Sequence, residues 1–538
     1  MAPWSLLSLV AAGILVTLKP EYSLWQSYTW TAAAFLSIIL VCRFVYSAIL
    51  YPNYLTPLKY LPTPPDRNWI TGNTDSIYLE PPRECARKWT ETVPNDGLIR
   101  YYAVGNLERV LVTTPKAMAE VFSHKPYETQ KTDIIRISLS RIVGNGLLMA
   151  EKDEHKAQRR NLMPAFSYRH VKDLYHIFWS KGAEMVKAIE THLQKDQAQD
   201  NVVKIGNWAG RATLDIIGVA GMDQDFKSLQ DPNNKLSSNY RKLLDEPSAF
   251  FKLLSLVGIF LVGLETIQNL PLTRNKEVNE AADYVRTIAR QMIRQKKDKI
   301  EQKQNDSVDI ISVALESGGF SEENLVDQMM TFLAAGHETT ATALQWAIYV
   351  LCKHPDIQSR LRDEVRASLP SISDESQPPI SASAVDGLPF LSAFCNEVLR
   401  FYPPVPLTVR QVANDITIID SPIPKGTIML MFTDTMNRSK EYWGPDADEF
   451  KPERWLGPGR AKNGGASNNY AFLTFIHGPR SCIGQSFAKG ELACLVAVMV
   501  GRFQMELKDP NAELEVMRGI TQRPKDGVQA KLTVLQGW

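Results

Sequence analysis

Phe475-Ile476-His477-Gly478-Pro479-Arg480-Ser481-Cys482-Ile483-Gly484 is the stretch that decides how this chain is read. A cysteine lies between two glycines, with an arginine two residues before it. Glycine at 478 and 484 permits a tight backbone turn and close approach to something flat or bulky, which side chains would block. Leu492, Leu495, Val496, Met499 and Phe503 then recur at helical spacing, so Cys482 sits just ahead of a helix N-terminus, where negative charge is favoured. A thiolate is expected there. By residue type alone an inert core cysteine fits as well; the spacing around it decides.

Over the whole chain 60 Lys and Arg stand against 59 Asp and Glu, so no charge excess points to nucleic acid or a polyanionic substrate. The six cysteines show no C-x-x-C pairing. That argues for neither a disulfide scaffold nor a zinc site, and a reducing compartment fits. With 538 residues there is ample chain to bury a cofactor.

Two apolar stretches open the sequence, Trp4 to Leu18 and Trp30 to Leu50, the second interrupted by Arg43. A spanning helix needs about 20 mostly apolar residues, and the basic n-region of a cleaved signal is missing before Trp4. Residues 1–50 therefore read as a retained membrane anchor of one or two segments. Prolines at 52, 57, 62, 64 and 65 make 51–66 a stiff hinge, and 67–538 the catalytic body. Arg43, Lys59 and Arg67 put the C-terminal side of the anchor in the cytosol. The triplets at Asn305 and Asn437 are then coincidental as glycosylation signals.

In the body, β-branched runs on either side of Gly105-Asn106 predict a hairpin; from there to residue 410 the pattern is mostly helical. The expected fold is mainly α with small β-sheets. The run 253–264 is too short and glycine-broken to span cleanly, and reads either as a buried helix or as a segment dipping into the bilayer. Arg294 to Lys299 reads as a solvated helix end.

Further motifs lie at fixed places. His155 and Arg159 share one helix face, ahead of Pro164-Ala-Phe166. Ser321 with Glu322 and Glu323 starts a helix that contains Ala335-Gly336-His337-Glu338-Thr339-Thr340. Gly336 inside it costs about 1 kcal/mol relative to alanine, for which close approach of a cofactor would compensate. Thr339 can bond the carbonyl of Ala335 one turn back. Glu397 and Arg400 form an i,i+3 pair worth only about 0.2–0.5 kcal/mol on a surface, and Pro452-Glu453-Arg454-Trp455 lies downstream.

Phe475-x-x-Gly478-x-Arg480-x-Cys482-x-Gly484 resembles the haem-binding signature of the cytochrome P450 family at every fixed position, and the other motifs occur in that family's order. The resemblance implies a cytochrome P450-like fold over roughly residues 50–538 and a haem b with Cys482 as its axial ligand, which favours O–O cleavage. It implies that Phe475 packs beside the sulfur, and that Arg480, Arg410, His155 and Arg159 hold the propionates. Thr339 and Glu338 would handle oxygen and protons, His337 being a bystander, and Glu397, Arg400 and Arg454 would form a structural network. Asn437 replaces a histidine frequent in the family, which leaves that position's haem contact in doubt.

The resemblance further implies a monooxygenase acting on an apolar small molecule, of the kind that tailors fungal secondary metabolites, in the endoplasmic reticulum membrane with its body facing the cytosol. No flavin or nicotinamide segment comes after the haem motif, so electrons are expected from NADPH through a separate cytochrome P450 reductase, for which Lys156, Arg160 and Lys489 are candidate contacts. Tyr127–Leu148, Leu253–Leu264, Pro404–Val409 and Gly519–Thr521 are candidate pocket linings. A fatty-acid or xenobiotic hydroxylase, a haem-thiolate isomerase or dehydratase, and a non-enzymatic haem carrier are the alternatives; an intact Glu338-Thr339 pair argues against the isomerase.

Overall fold

Apolar side chains at helical spacing dominate the chain after residue 130, and in the computed structural model they pack as a helical body beside a smaller β region. The structure describes all residues except 1–2, 69–70, 79–83, 196–200, 303–308, 375–377, 512–513 and 518; the triplet at Asn305 falls outside them. The central helix, Glu322–Lys353, is capped by the Ser321 side chain, which accepts from the Asn324 N–H. It packs against Ile205–Met222 on one flank and Gln485–Arg502 on another. Because it is enclosed on several sides, its apolar residues go all round rather than forming one stripe.

The expected hairpin pairs Leu98–Ala103 with Leu107–Val112 in antiparallel register, Leu98 opposite Val112. It extends through Ile428–Phe432 and Leu407–Val412 to the two-residue strand Thr129–Gln130. This five-stranded sheet therefore brings Arg410 and the segment around Thr129 together, although some 280 residues separate them in sequence.

At the N-terminus Pro3–Leu18 and Tyr28–Phe44 pack against each other, and the Tyr28 hydroxyl donates to the Leu9 carbonyl at 3.0 Å. Tyr28–Leu55 is the one helix among the described residues long and apolar enough to cross a membrane; only 6% of its apolar window is buried, so it is not a core helix. It runs beyond residue 50 because the donor that Pro52 lacks is absorbed in a π-helical segment, Val45–Leu55. The expected hinge is docked rather than free: Leu58 and Leu61 are buried with Val110 and Val112, and the Arg100 N–H donates to the Pro62 carbonyl at 2.8 Å.

Two further readings change. Helix Thr273–Glu301 is not solvated throughout its end, since Lys296 is buried and pairs with Asp309 at 2.5 Å and Asp223 at 3.2 Å. Around residues 250–262 Phe250, Leu253, Leu256, Ile259 and Val262 are exposed, and Ala249–Val257 buries none of its residues. A core helix is excluded there.

Candidate functional site

The cysteine loop owes its shape to Gly478. Its φ is +76°, and a Cβ there would come within 2.2 Å of the Phe122 carbonyl oxygen, so no other residue fits. Gly484 is different: its φ is −90°, and an added Cβ would meet only the Phe166 ring at 3.8 Å. It serves as the residue ahead of helix Gln485–Arg502. The Cys482 N–H donates to the Phe475 carbonyl at 2.9 Å, closing the loop.

Cys482 has open surface although it lies deep among protein atoms, and Arg480 and Phe487 close by are buried. Ala335 is likewise exposed inside the otherwise enclosed central helix, and Thr339 one turn on is partly open. The two faces approach one another through Phe166, whose ring lies 5.3 Å from that of Phe332 and packs against Gly484. The Thr339 hydroxyl donates to the Ala335 carbonyl at 2.9 Å, as threonine in a helix readily does. At Gly336 a Cβ would press on Ile217 at 2.9 Å, so the neighbouring helix Ile205–Met222 makes a close approach there.

Burial pushes the Cys482 thiol up, against the lowering effects of the Gly484 N–H and of Arg159. Desolvation thus outweighs the helix terminus, and the thiolate expected from sequence requires a metal, which deprotonates a coordinating thiol outright. Arg159 donates to the Ser481 carbonyl at 2.6 Å and to the Ser481 hydroxyl at 3.3 Å. It braces the cysteine loop directly.

Beside the loop lies a cluster of cations. Arg410, Arg480 and Lys131 are all buried, and the one carboxylate among them is Glu151, 2.5 Å from Arg480 and 3.8 Å from Lys131. Burial, then Arg480, pushes Arg410 down to about 10; burial, then Arg410 and Arg480, pushes Lys131 well down. The Arg410 guanidinium makes no hydrogen bond or ion pair among the described residues, and the Arg480 Nε is buried without a partner. Buried charges left this way are costly unless a ligand pairs them. Fully protonated, the three cations exceed Glu151 by two charges, which is what two carboxylates of a bound haem would neutralise. The residues present therefore fit that group.

His155 is buried at the edge of this cluster, its Nδ1 3.1 Å from the Tyr127 hydroxyl. Burial, then Arg480 and Arg159, lowers its pKa to about 4, so the ring is neutral. With Tyr127 donating to Nδ1, Nε2 carries the hydrogen and can donate to a carboxylate. Sequence reasoning missed Lys131 and Glu151. Neither lies in a recognisable motif; only the sheet brings them to Arg410.

Glu338 is buried, accepting from the Thr521 hydroxyl at 2.9 Å and pairing with Arg523 at 3.0 Å. The C-terminal loop is thereby tied to the central helix, and the Gln522 N–H ties it also to the Pro404 carbonyl at 2.8 Å. His337 is buried, with its Nδ1 2.6 Å from the Leu333 carbonyl.

Below the loop, Glu397 accepts from Arg400 twice at 2.8 Å, from Arg454 at 3.2 Å, from Trp455 Nε1 at 2.8 Å and from the Lys451 N–H at 2.8 Å. Arg400 also donates to the carbonyls of Asn437, Ala447 and Glu449. Asn437 is fully buried and donates to the Arg400 carbonyl, which removes it both as a glycan acceptor and as a surface residue. Of the expected partner-facing cations, Lys156 and Arg160 are exposed. Lys489 is not: it lies 5.7 Å over the Phe475 ring and burial brings it down to about 8.

A cysteine loop facing an opened central helix, with a dication-sized excess of charge beside it, defines a haem-thiolate protein. The sequence model of the Cytochrome P450 family matches residues 62–529, and the chain belongs to that family. It is 52% identical to cytochrome P450 monooxygenase sphH of Aspergillus fumigatus, over 97% of both chains. It is 41% identical to cytochrome P450 monooxygenase FSL4 of Gibberella zeae over 93% of each, and 38% identical to cytochrome P450 monooxygenase FUM15 of Gibberella moniliformis over 92% of this chain and 91% of that one. The protein is thus a haem-dependent monooxygenase that draws on NADPH indirectly, through a redox partner, to oxidise a small molecule.

Proposed function

We propose that this monooxygenase is anchored in the endoplasmic reticulum membrane by residues 1–50, with the 51–66 segment leading to a cytosolic catalytic body of residues 67–538. It inserts one atom of O2 into an apolar intermediate of fungal secondary metabolism. The observation that carries the reading is the accessible Cys482 on its Gly478-shaped loop beside Arg410, whose guanidinium has no partner among the described residues, and Arg480, whose Nε is buried without one. Haem bound there supplies the iron at which O2 is reduced and cleaved.

The chain's own residues do the rest. Arg410, Arg480 and the His155 Nε2–H bind and orient the propionates, with Lys131 adding charge, while Arg159 fixes the Ser481 backbone next to the ligand sulfur. Phe475 and Gly484 shape its surroundings. Thr339 holds its hydroxyl proton in a bond to the Ala335 carbonyl beside the opening, and Glu338, held by Arg523 and Thr521, is the neighbouring acid that takes part in proton delivery. Glu397, Arg400 and Arg454 keep the loop in register. Exposed Phe250, Leu253 and Leu256 rest in the bilayer, where an apolar substrate is concentrated. NADPH-cytochrome P450 reductase approaches the cysteine side, with Lys156 and Arg160 at its edge.

The test is metabolite comparison of strains with and without the gene, then reaction of the accumulated precursor with membranes, the reductase and NADPH under 18O2. A product carrying one labelled atom supports the proposal. An unlabelled, isomerised product would favour the rearranging enzyme instead.

A further inference from the structure

Helix Pro3–Leu18 contains no charged residue, and Leu7, Val10, Ile14 and Leu18 are all exposed on it. Ser8 is buried, and the Thr17 hydroxyl donates to the Gly13 carbonyl one turn back at 2.7 Å. A helix lying flat on a membrane surface needs a strongly polar or charged face opposite its apolar one. This helix carries no charge to form it.

Its partner is the helix that is long and apolar enough to cross a membrane. Pro3–Leu18 packs against Tyr28–Phe44, and the buried positions of the pair are small: Ser8 and Ala12 on the first helix, Thr31 and Ala32 on the second. Small residues let helix backbones approach closely in lipid. The Tyr28 hydroxyl donates to the Leu9 carbonyl at 3.0 Å, and its ring lies over Gly13, where an added Cβ would stand 3.7 Å away.

The connection folds back on itself through the short turns Pro20–Tyr22 and Leu24–Gln26. It meets its own polar needs: the Ser23 hydroxyl donates to the Pro20 carbonyl at 2.6 Å, the Leu24 N–H to the Thr31 hydroxyl at 3.0 Å, and that hydroxyl to the Ser27 carbonyl at 2.7 Å. Chain at the edge of lipid requires such internal partners. Lys19, Glu21, Tyr22 and Trp25 are exposed here, with Trp30 just beyond. Charges and amphipathic rings together are what a membrane–water boundary collects.

The lengths agree as well. Pro3–Leu18 has 16 residues, about 24 Å of helix. On the second helix the exposed rings of Trp30 and Tyr46 are separated by a similar rise, about 24 Å, and Arg43 precedes Tyr46 by less than a turn. The hydrocarbon layer of the endoplasmic reticulum is about 27 Å thick, and slight thinning accommodates a shortfall of this size. By itself the first helix is shorter than a usual span; packed on the second, it shares the second helix's direction.

Resting on the orientation proposed above, we infer that Pro3–Leu18 and Tyr28–Leu55 form a hairpin that crosses the bilayer twice. Residues 19–27 then reach the lumen, and whatever precedes Pro3 lies in the cytosol beside the catalytic body. A single crossing by Tyr28–Leu55 would instead leave everything ahead of it on the lumenal side.

Three versions of the full-length chain test this, each made in microsomes with one added Asn-x-Thr glycosylation acceptor. The acceptor sits on a flexible extension ahead of Met1, in a flexible insert between Glu21 and Tyr22, or on an extension after Trp538. Only the insert is expected to be modified, as an endoglycosidase-sensitive shift in most of the chains. Protease added to sealed microsomes should remove an epitope on the N-terminal extension almost completely, without detergent. A glycosylated, protease-protected N-terminal extension beside an unmodified C-terminal one is the pattern of a single crossing and would overturn the inference. So would an unmodified insert beside a digested N-terminal extension, the pattern of a first helix that never reaches the far side. Modification of the C-terminal extension would refute the cytosolic placement of the body; the hairpin is then upheld if the N-terminal extension is modified too, and overturned if it is not.

Discussion

Arg410→Met is expected to act with opposite signs on the fold and on cofactor retention. In the haem-free protein the guanidinium is a buried cation with no partner, and its fall to about 10 from the ordinary guanidinium value corresponds to about 3 kcal/mol of destabilisation at 1.36 kcal/mol per pKa unit. The sign comes from linkage: a base whose folded pKa lies below its unfolded one costs stability wherever both states are charged, so the cost is complete at pH 7. It is relieved only as pH rises through about 10 and beyond. Methionine fills similar volume without the charge, so haem-free protein should gain up to about 3 kcal/mol in denaturant unfolding at neutral pH. The same change deletes a charge-assisted bond to a propionate, worth about 1.5–3 kcal/mol, and should speed haem transfer to an excess of apomyoglobin roughly 10- to 100-fold. A variant that unfolds more easily without haem, or that loses haem at the wild-type rate, would refute the argument that this cation waits for an anionic ligand.

Glu397→Ala strips two buried arginines of their shared carboxylate and should cost about 3–5 kcal/mol in denaturant unfolding. Arg454→Met should cost less, because Glu397 keeps Arg400, Trp455 and the Lys451 amide; equal losses would contradict the ranking. Gly478→Ala forces a Cβ against Phe122 at positive φ and should abolish haem incorporation, whereas Gly484→Ala should retain it. Haem content after purification checks both. Lys489→Ala should lower thermal stability more than it weakens reductase binding in a titration, since that lysine covers Phe472 and Phe475; Lys156→Ala should do the reverse.

Residues whose roles are set locally were legible in sequence. The 478–484 loop, the threonine one turn after Ala335 and the Glu397-Arg400 pair each act over a few positions of known backbone geometry. Lys131 and Glu151 were not, because their meaning comes from a strand pairing of residues 129–130 with 411–412 that no local pattern announces. Lys296 and Lys489 read as surface charges by type, yet long stems let such residues lie buried against apolar or anionic partners. Gly336 was correctly singled out as unusual, but periodicity could not say that Ile217 was the neighbour. The 250–262 stretch was ambiguous until exposure separated a core helix from an outward-facing apolar surface.

The most direct test of the account is the absorption spectrum of dithionite-reduced membranes under carbon monoxide, wild type against Cys482→Ala. A strongly red-shifted Soret band in wild type, lost in the variant, is the predicted result. Haem bound without that band, or a band that survives the loss of Cys482, would contradict the ligand assignment on which the function rests.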